Sequence, residues 1–91
     1  MYVLSAKLTF HIPHANSLKD KRQVSRSLIQ KAKQRYNISI AEINTLNIHQ
    51  ILTLGIAVVS GEMAHAQKSL DEVIRFLSLN EEAELRDIEA Y

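Results

Sequence analysis

The residues with the clearest capacity for chemistry are cations that recur at helical spacing in the first third of the chain. With 100° between successive residues, they fall within a stripe of roughly 60° that we call the basic stripe: Lys19, Arg22, Arg26 and Lys33. No acidic residue follows any of them at the fourth position, so these like charges repel one another along the helix. Two interpretations remain open: a solvated face whose long side chains cover the core, or a footprint for nucleic-acid phosphates.

The segment before the basic stripe favours the second interpretation. Ser17, followed by Asp20 three residues later, is a capping-box variant and predicts a helix that begins near Leu18. A helix start offers unpaired N–H groups and the positive end of a dipole, so cations in its first turns are unfavourable unless an anion binds there. The predicted phosphate-binding residues are Ser17, Lys19, Lys21, Arg22, Arg26 and Lys33, with His14, Asn16 and Lys7 as accessory contacts. We expect each surface cation, Lys21 among them, to contribute little to folding.

The other reactive residue types predict neither catalysis nor a bound cofactor. The chain has no cysteine, which excludes disulfides, thiolate metal sites and a cysteine nucleophile. Of its four histidines, only His11 and His14 are close in sequence, and Pro13 separates them. No third group is placed to orient Ser60 and His65 as a nucleophile and its base. We therefore predict a protein that is not an enzyme, with no catalytic residue, no metal site and no cofactor.

Composition predicts one small globular domain over residues 1–91 with an uneven distribution of charge. Of the 91 residues, 46% are hydrophobic and 23% are charged, as in ordinary globular proteins. The net charge is only +1, yet basic residues dominate up to Tyr36 and acidic residues dominate from Leu70 onward. This asymmetry indicates an anionic partner. The longest apolar run, residues 54–59, is too short to span a bilayer, so we expect a soluble cytoplasmic protein with no membrane partner.

Hydrophobic periodicity predicts four strands and two helices that would position these groups. Apolar and polar residues alternate over residues 3–12, as in a half-buried strand. Apolar residues recur with helical spacing from Leu18 to Tyr36 and again from Met63 to Leu77. We expect Asn37 to end the first helix in a left-handed conformation and Ser60 to cap the second. The predicted strands cover residues 3–12, 38–43, 51–60 and 84–90, and residues 44–49 form a loop.

Two β-α-β units in sequence predict the α+β, ferredoxin-like sandwich of β-α-β-β-α-β order. Right-handed crossovers give a four-stranded antiparallel sheet of order 4-1-3-2 with both helices on one face, so Leu28 and Leu70 should be buried against it. Strand three carries no aromatic residue for stacking bases, so RNA binding must come from the first helix and the loop before it. A homodimer through the open sheet face or the second, edge strand, which contains Ile38, Ile40 and Ile43, is a further expectation.

A longer motif resembles a known family. The string from Ile12 to Arg22, IPHANSLKDKR, looks like the signature of the YlxP-like family, small bacterial proteins with a domain of unknown function, and similarity continues at residues 35–42, 54–60 and 75–76. The resemblance implies a ferredoxin-like fold. It also implies genes that lie among transcription-termination and translation-initiation genes, beside a ribosome-binding factor. Where many relatives carry Asp-Leu-Trp-Gln-Arg, this chain has Asn47-Ile-His-Gln-Ile51, with His49 in place of Trp and Ile51 in place of Arg.

Together these observations predict a non-catalytic binding module. The function we expect is association with RNA or the small ribosomal subunit through the basic first helix. The alternative is a protein–protein interaction or homo-oligomerisation domain with no nucleic-acid role. Binding to phosphates weakens steeply with salt, whereas an apolar interface does not, so salt dependence separates the two.

Overall fold

The six predicted elements are present in the predicted order. The structure, a computed structural model, describes residues 1–91. Its elements are β1 (Tyr2–His11), α1 (Leu18–Arg35), β2 (Ser39–Glu42), β3 (Ile51–Ser60), α2 (Met63–Ser78) and β4 (Glu84–Ala90). Pro13 follows the end of β1, and its lack of an N–H group is incompatible with a continued ladder. β2 is shorter than predicted because residues 38 and 43 lie outside it.

The four strands form one antiparallel sheet in the order β2-β3-β1-β4, which is the predicted 4-1-3-2 read from the other edge. β1 and β3 are central and pair along their whole length, from Tyr2 opposite Ser60 to His11 opposite Ile51. β2 and β4 form the edges, and the register of β4 against β1 shifts between Thr9 and Phe10. The ferredoxin-like prediction is therefore confirmed.

Both helices pack on the same face of this sheet around a single core. Alternate residues of β1, including Leu8 and Phe10, are fully buried in a cluster that also contains side chains from both helices. Leu28 of α1 and Leu70 of α2 are each 4% exposed, which confirms their predicted burial. α1 packs against β2, whereas the acidic β4 forms the opposite edge. The charge asymmetry of the sequence therefore becomes a spatial one.

Two predicted helix ends are wrong in detail. Asn37 is not left-handed, because α1 ends at Arg35 and Tyr36 already has an extended backbone with φ of −133°. The residue with positive φ is Asn44, at 61°, at the start of the loop between β2 and β3. Ser60 does not cap α2: its Oγ accepts a hydrogen bond from the Glu62 N–H, and Glu62 occupies the cap position without a side-chain bond.

Neither helix is both long and apolar enough to cross a membrane.

Candidate nucleic-acid interface

The basic stripe lies on the solvent face of α1. Lys19, Arg22, Arg26 and Lys33 are all exposed, and no carboxylate oxygen lies within 4.0 Å of their charged groups. At a rise of 1.5 Å per residue, the fourteen steps from Lys19 to Lys33 span about 21 Å of helix. The structure thus presents four cations along one surface with no internal partner, and this surface is the candidate interface.

The start of α1 is capped as the sequence predicted. Ser17 Oγ accepts a hydrogen bond from the Asp20 N–H at 3.1 Å, and the Asp20 carboxylate accepts one from the Asn16 N–H at 3.0 Å. The Ser17 oxygen and a carboxylate therefore already occupy this helix start. An incoming phosphate would meet the negative charge of Asp20 here, so the more favourable positions for phosphate lie further along the basic stripe.

The capping role of Ser17 gives a testable expectation. Ser17→Ala should lower the free energy of unfolding by about 1 kcal/mol, because an orphan N–H at the helix start loses its acceptor. Ser17→Asn should retain most of the stability, since the Asn side chain also caps helices well. Urea unfolding of the two variants checks this result, and equal midpoints for Ser17→Ala and the native protein would contradict it.

Lys21 is a predicted phosphate ligand that lies in the interior of the structure. Its side chain is fully buried, at 0% exposure, so it cannot reach a phosphate on the surface. Burial of a lysine requires that its charge and its three N–H donors find partners inside the protein. The expectation that Lys21 is a surface cation is therefore wrong.

Three oxygens surround the Lys21 ammonium group. Glu42 Oε2 lies 3.0 Å from Nζ, the carbonyl oxygen of Thr45 2.5 Å and that of Ile51 3.2 Å. The Glu42 side chain is only 13% exposed, and its buried Oε2 accepts no hydrogen bond, so the charge of the nearby ammonium is what balances it. Lys21 therefore neutralises Glu42 and joins α1 to the end of β2 and to both ends of the following loop.

Helical periodicity contains a signal for this burial. Lys21 precedes Leu28 by seven residues, which places the two within about 20° on the same face of a helix. Glu42 is also the sole acidic residue between Asp20 and Glu62. A lysine on the apolar face and a single acid in the next strand together indicate a buried ion pair.

Lys7 lies on the open face of the sheet, away from the basic stripe. Its Nζ is 2.9 Å from Glu89 Oε2 on the neighbouring β4, and Tyr91 Oη donates a hydrogen bond to the same oxygen at 2.6 Å. The hydrogen bond and the charge of Glu89 raise the pKa of Lys7. The pKa of Glu89 is lowered by the hydrogen bonds from Tyr91 and Lys7 and by the Lys7 charge. Lys7 already has a carboxylate partner, and the structure does not bring it together with the other predicted site residues.

The accessory residues His14 and Asn16 are exposed in the loop that leads into α1. This first loop, residues 12–17, contacts the loop of residues 44–50. The Ile12 N–H donates to the Gln50 carbonyl at 2.8 Å, and Gln50 Nε2 donates to the Ala15 carbonyl at 3.4 Å. The fold therefore brings the IPHANSLKDKR motif next to the segment that contains His49.

No three His, Cys, Asp or Glu side chains are arranged to hold a metal ion.

Comparison with known proteins identifies one family. A family model described as "Protein of unknown function (DUF503)" matches residues 3–90. The uncharacterized protein YlxP of Bacillus subtilis (strain 168) is 35% identical over 63 residues, which are 69% of this chain and 68% of that protein. Both matches confirm the resemblance found in the sequence motifs.

Proposed function

The chain belongs to the DUF503 family, and we propose that it is a non-catalytic cytoplasmic module that binds RNA of the small ribosomal subunit through α1. One observation carries this proposal: the basic stripe is exposed along the helix and has no carboxylate partner. Unpaired cations in a row are unfavourable for an isolated helix. They become favourable when a phosphate backbone supplies the missing charges and releases its counterions.

The distribution of the remaining charge supports a defined orientation on RNA. α1 contains one acidic residue, Asp20, whereas β4 at the opposite edge contains Glu84, Asp87 and Glu89. RNA is attracted to the first flank and repelled by the second, so the field of the protein steers α1 towards the phosphates. The ribosomal part of the proposal is supported by the translation-related gene neighbours that the YlxP-like resemblance implies.

The buried ionisable pair supports a structural and not a catalytic role. Lys21 is fully buried and its ammonium contacts a carboxylate and two carbonyl oxygens. A lysine nucleophile or base needs a free amine within reach of a substrate. Lys21 lacks that access, because its side chain is fully buried.

Sedimentation with ribosomes tests the proposal directly. Purified protein mixed with isolated small subunits should sediment with them at low salt and be released as salt increases, because each phosphate contact depends on counterion release. Isolated large subunits are the matched control and should retain less protein. The proposal would be contradicted if the protein did not sediment with small subunits even at low salt. It would also be contradicted if the amount of bound protein did not change as the salt concentration increased.

A second candidate function, self-association, is favoured by a different observation. Val3 and Val59 are cross-strand neighbours on the open sheet face and are 59% and 61% exposed. The edge strand offers less apolar surface than the sequence suggested. Ile40 of β2 is buried at 6% exposure, and Ile38 and Ile43 are partly buried. Self-association would therefore use the open face and not the β2 edge.

A further inference from the structure

The end of the molecule formed by residues 12–17 and 44–50, which we call the loop end, has features that the basic stripe does not explain. Its two segments are joined by the hydrogen bonds of Gln50 to Ile12 and Ala15. The chain enters α1 directly from the first of these segments, so the loop end adjoins the start of the basic stripe. Any RNA that follows the stripe to its first residue therefore reaches this surface.

The loop of residues 44–50 is held in place from several sides. Lys21 donates to the carbonyls of Thr45 and Ile51, one near each end of the loop. The hydroxyls of Thr45 and Thr53 are 2.8 Å apart, and the Ile48 N–H donates to the Thr45 carbonyl at 3.1 Å. A loop that is tied to α1 and β3 in this way loses little conformational entropy when a partner binds to it.

This well-held loop nevertheless exposes two aliphatic side chains. Leu46 is 53% exposed and Ile48 is 49% exposed. Both lie within the same short loop segment. Because these side chains stay half in water, their burial contributes little free energy to folding. Covering them with a flat apolar surface would release the free energy of removing that apolar area from water.

The polar side chains around these aliphatic residues suit nucleic-acid bases. Apart from the capping Ser17, those that are exposed at the loop end are amides and imidazoles: His14, Asn16, Asn44, Asn47 and His49. Such groups donate and accept hydrogen bonds at the edges of bases. The loop end has no acidic residue of its own, and the chain has none from residue 43 to residue 61. The nearest carboxylate that these contacts show is that of Asp20, which accepts the Asn16 N–H at the helix start, so the loop end suits bases better than phosphates.

We propose that the loop end contacts unpaired bases of the RNA whose phosphates the basic stripe binds. This inference rests on the proposed function and specifies its ligand as RNA with a single-stranded segment. Leu46 and Ile48 contact base faces, and the neighbouring amides and imidazoles bond base edges. Paired bases in an A-form helix do not offer these faces, so duplex RNA makes the phosphate contacts alone. Lys21 is a positioning residue, because it holds both ends of the loop without touching the ligand.

A paired substitution tests this inference on the folded protein. Leu46→Ser with Ile48→Ser should bind a labelled single-stranded RNA of about 16 nucleotides roughly tenfold or more weakly than the native protein. The slope of log affinity against log salt should stay unchanged, because no cation is lost. Binding of the same RNA annealed to its complement should also stay unchanged. The matched control is Leu79→Ser with Ile88→Ser, which removes an exposed Leu and Ile elsewhere and should bind as the native protein does.

The outcomes separate this inference from the function on which it rests. If the native protein binds neither RNA in a salt-dependent manner, the proposed function fails and this inference fails with it. If the native protein and the variant Leu46→Ser with Ile48→Ser bind single-stranded RNA equally tightly, the loop end does not contact unpaired bases, and this inference alone is overturned. A similar loss for single-stranded and duplex RNA also overturns it, because the contact would then not depend on unpaired bases.

Discussion

Lys21→Met should destabilise the protein by about 3 kcal/mol or more, although it removes only one charge. The substitution leaves Glu42 without its cation in a site where that side chain is 13% exposed. Removal of one partner from a buried ion pair typically costs 3–5 kcal/mol, because the remaining charge stays buried and uncompensated. Two carbonyl oxygens, those of Thr45 and Ile51, also lose their donor. A chain of this length has a total stability of about 5–14 kcal/mol, so the loss is a large fraction of it.

Two variants make this expectation specific. Lys21→Met with Glu42→Leu should regain much of the lost stability, because a buried ion pair can often be replaced by apolar side chains. Lys19→Met, two residues earlier but exposed, should change stability by less than about 0.5 kcal/mol. Urea unfolding measures all three. The role assigned to Lys21 would be contradicted if Lys21→Met were as stable as the native protein. It would also be contradicted if Lys21→Met with Glu42→Leu were less stable than Lys21→Met alone.

The same substitution should loosen the loop of residues 44–50. Lys21 bonds a carbonyl near each end of that loop, so its removal should speed amide hydrogen exchange there beyond the effect of global destabilisation. A destabilised variant with normal loop protection would show that Lys21 supports the fold but does not position the loop.

Arg22→Glu with Arg26→Glu should have the second large effect, on binding and not on folding. Both residues are exposed on α1 without a carboxylate partner. Their reversal should lower affinity for RNA or small subunits by more than about 100-fold near 0.1 M salt, and should reduce the log–log salt slope by about two units. Stability should be unchanged or slightly higher, because repulsion along the basic stripe decreases.

A matched charge reversal on the other helix provides the control. Lys68→Glu with Arg75→Glu changes the net charge by the same amount at exposed positions of α2, and it should reduce affinity much less. If the α1 variant binds as the native protein does across a salt series, the basic stripe is only a solvated face. Self-association through Val3 and Val59 then becomes the leading function.

The elements of this protein follow from short-range patterns in its sequence. The alternation of Leu8 and Phe10 with polar residues, the Ser17–Asp20 cap and the spacing of Leu70, Val73 and Leu77 each depend on residues within one or two turns or strand positions. The handedness of β-α-β crossovers then leaves one sheet order. The exposed basic stripe is equally local, because the apolar residues of α1 decide which face is turned to solvent.

The details of the site depend on contacts between distant segments, which only the tertiary structure decided. Lys21 meets Glu42, Thr45 and Ile51, residues from three further points of the chain, so its change from surface ligand to buried anchor depends on the path of the β2–β3 connection. Lys7 is paired because β4 returns beside β1 and places Glu89 opposite it. The loop end forms because Gln50 reaches the first loop. Local periodicity states which side of an element faces the core, but the partner found there depends on how the whole chain packs.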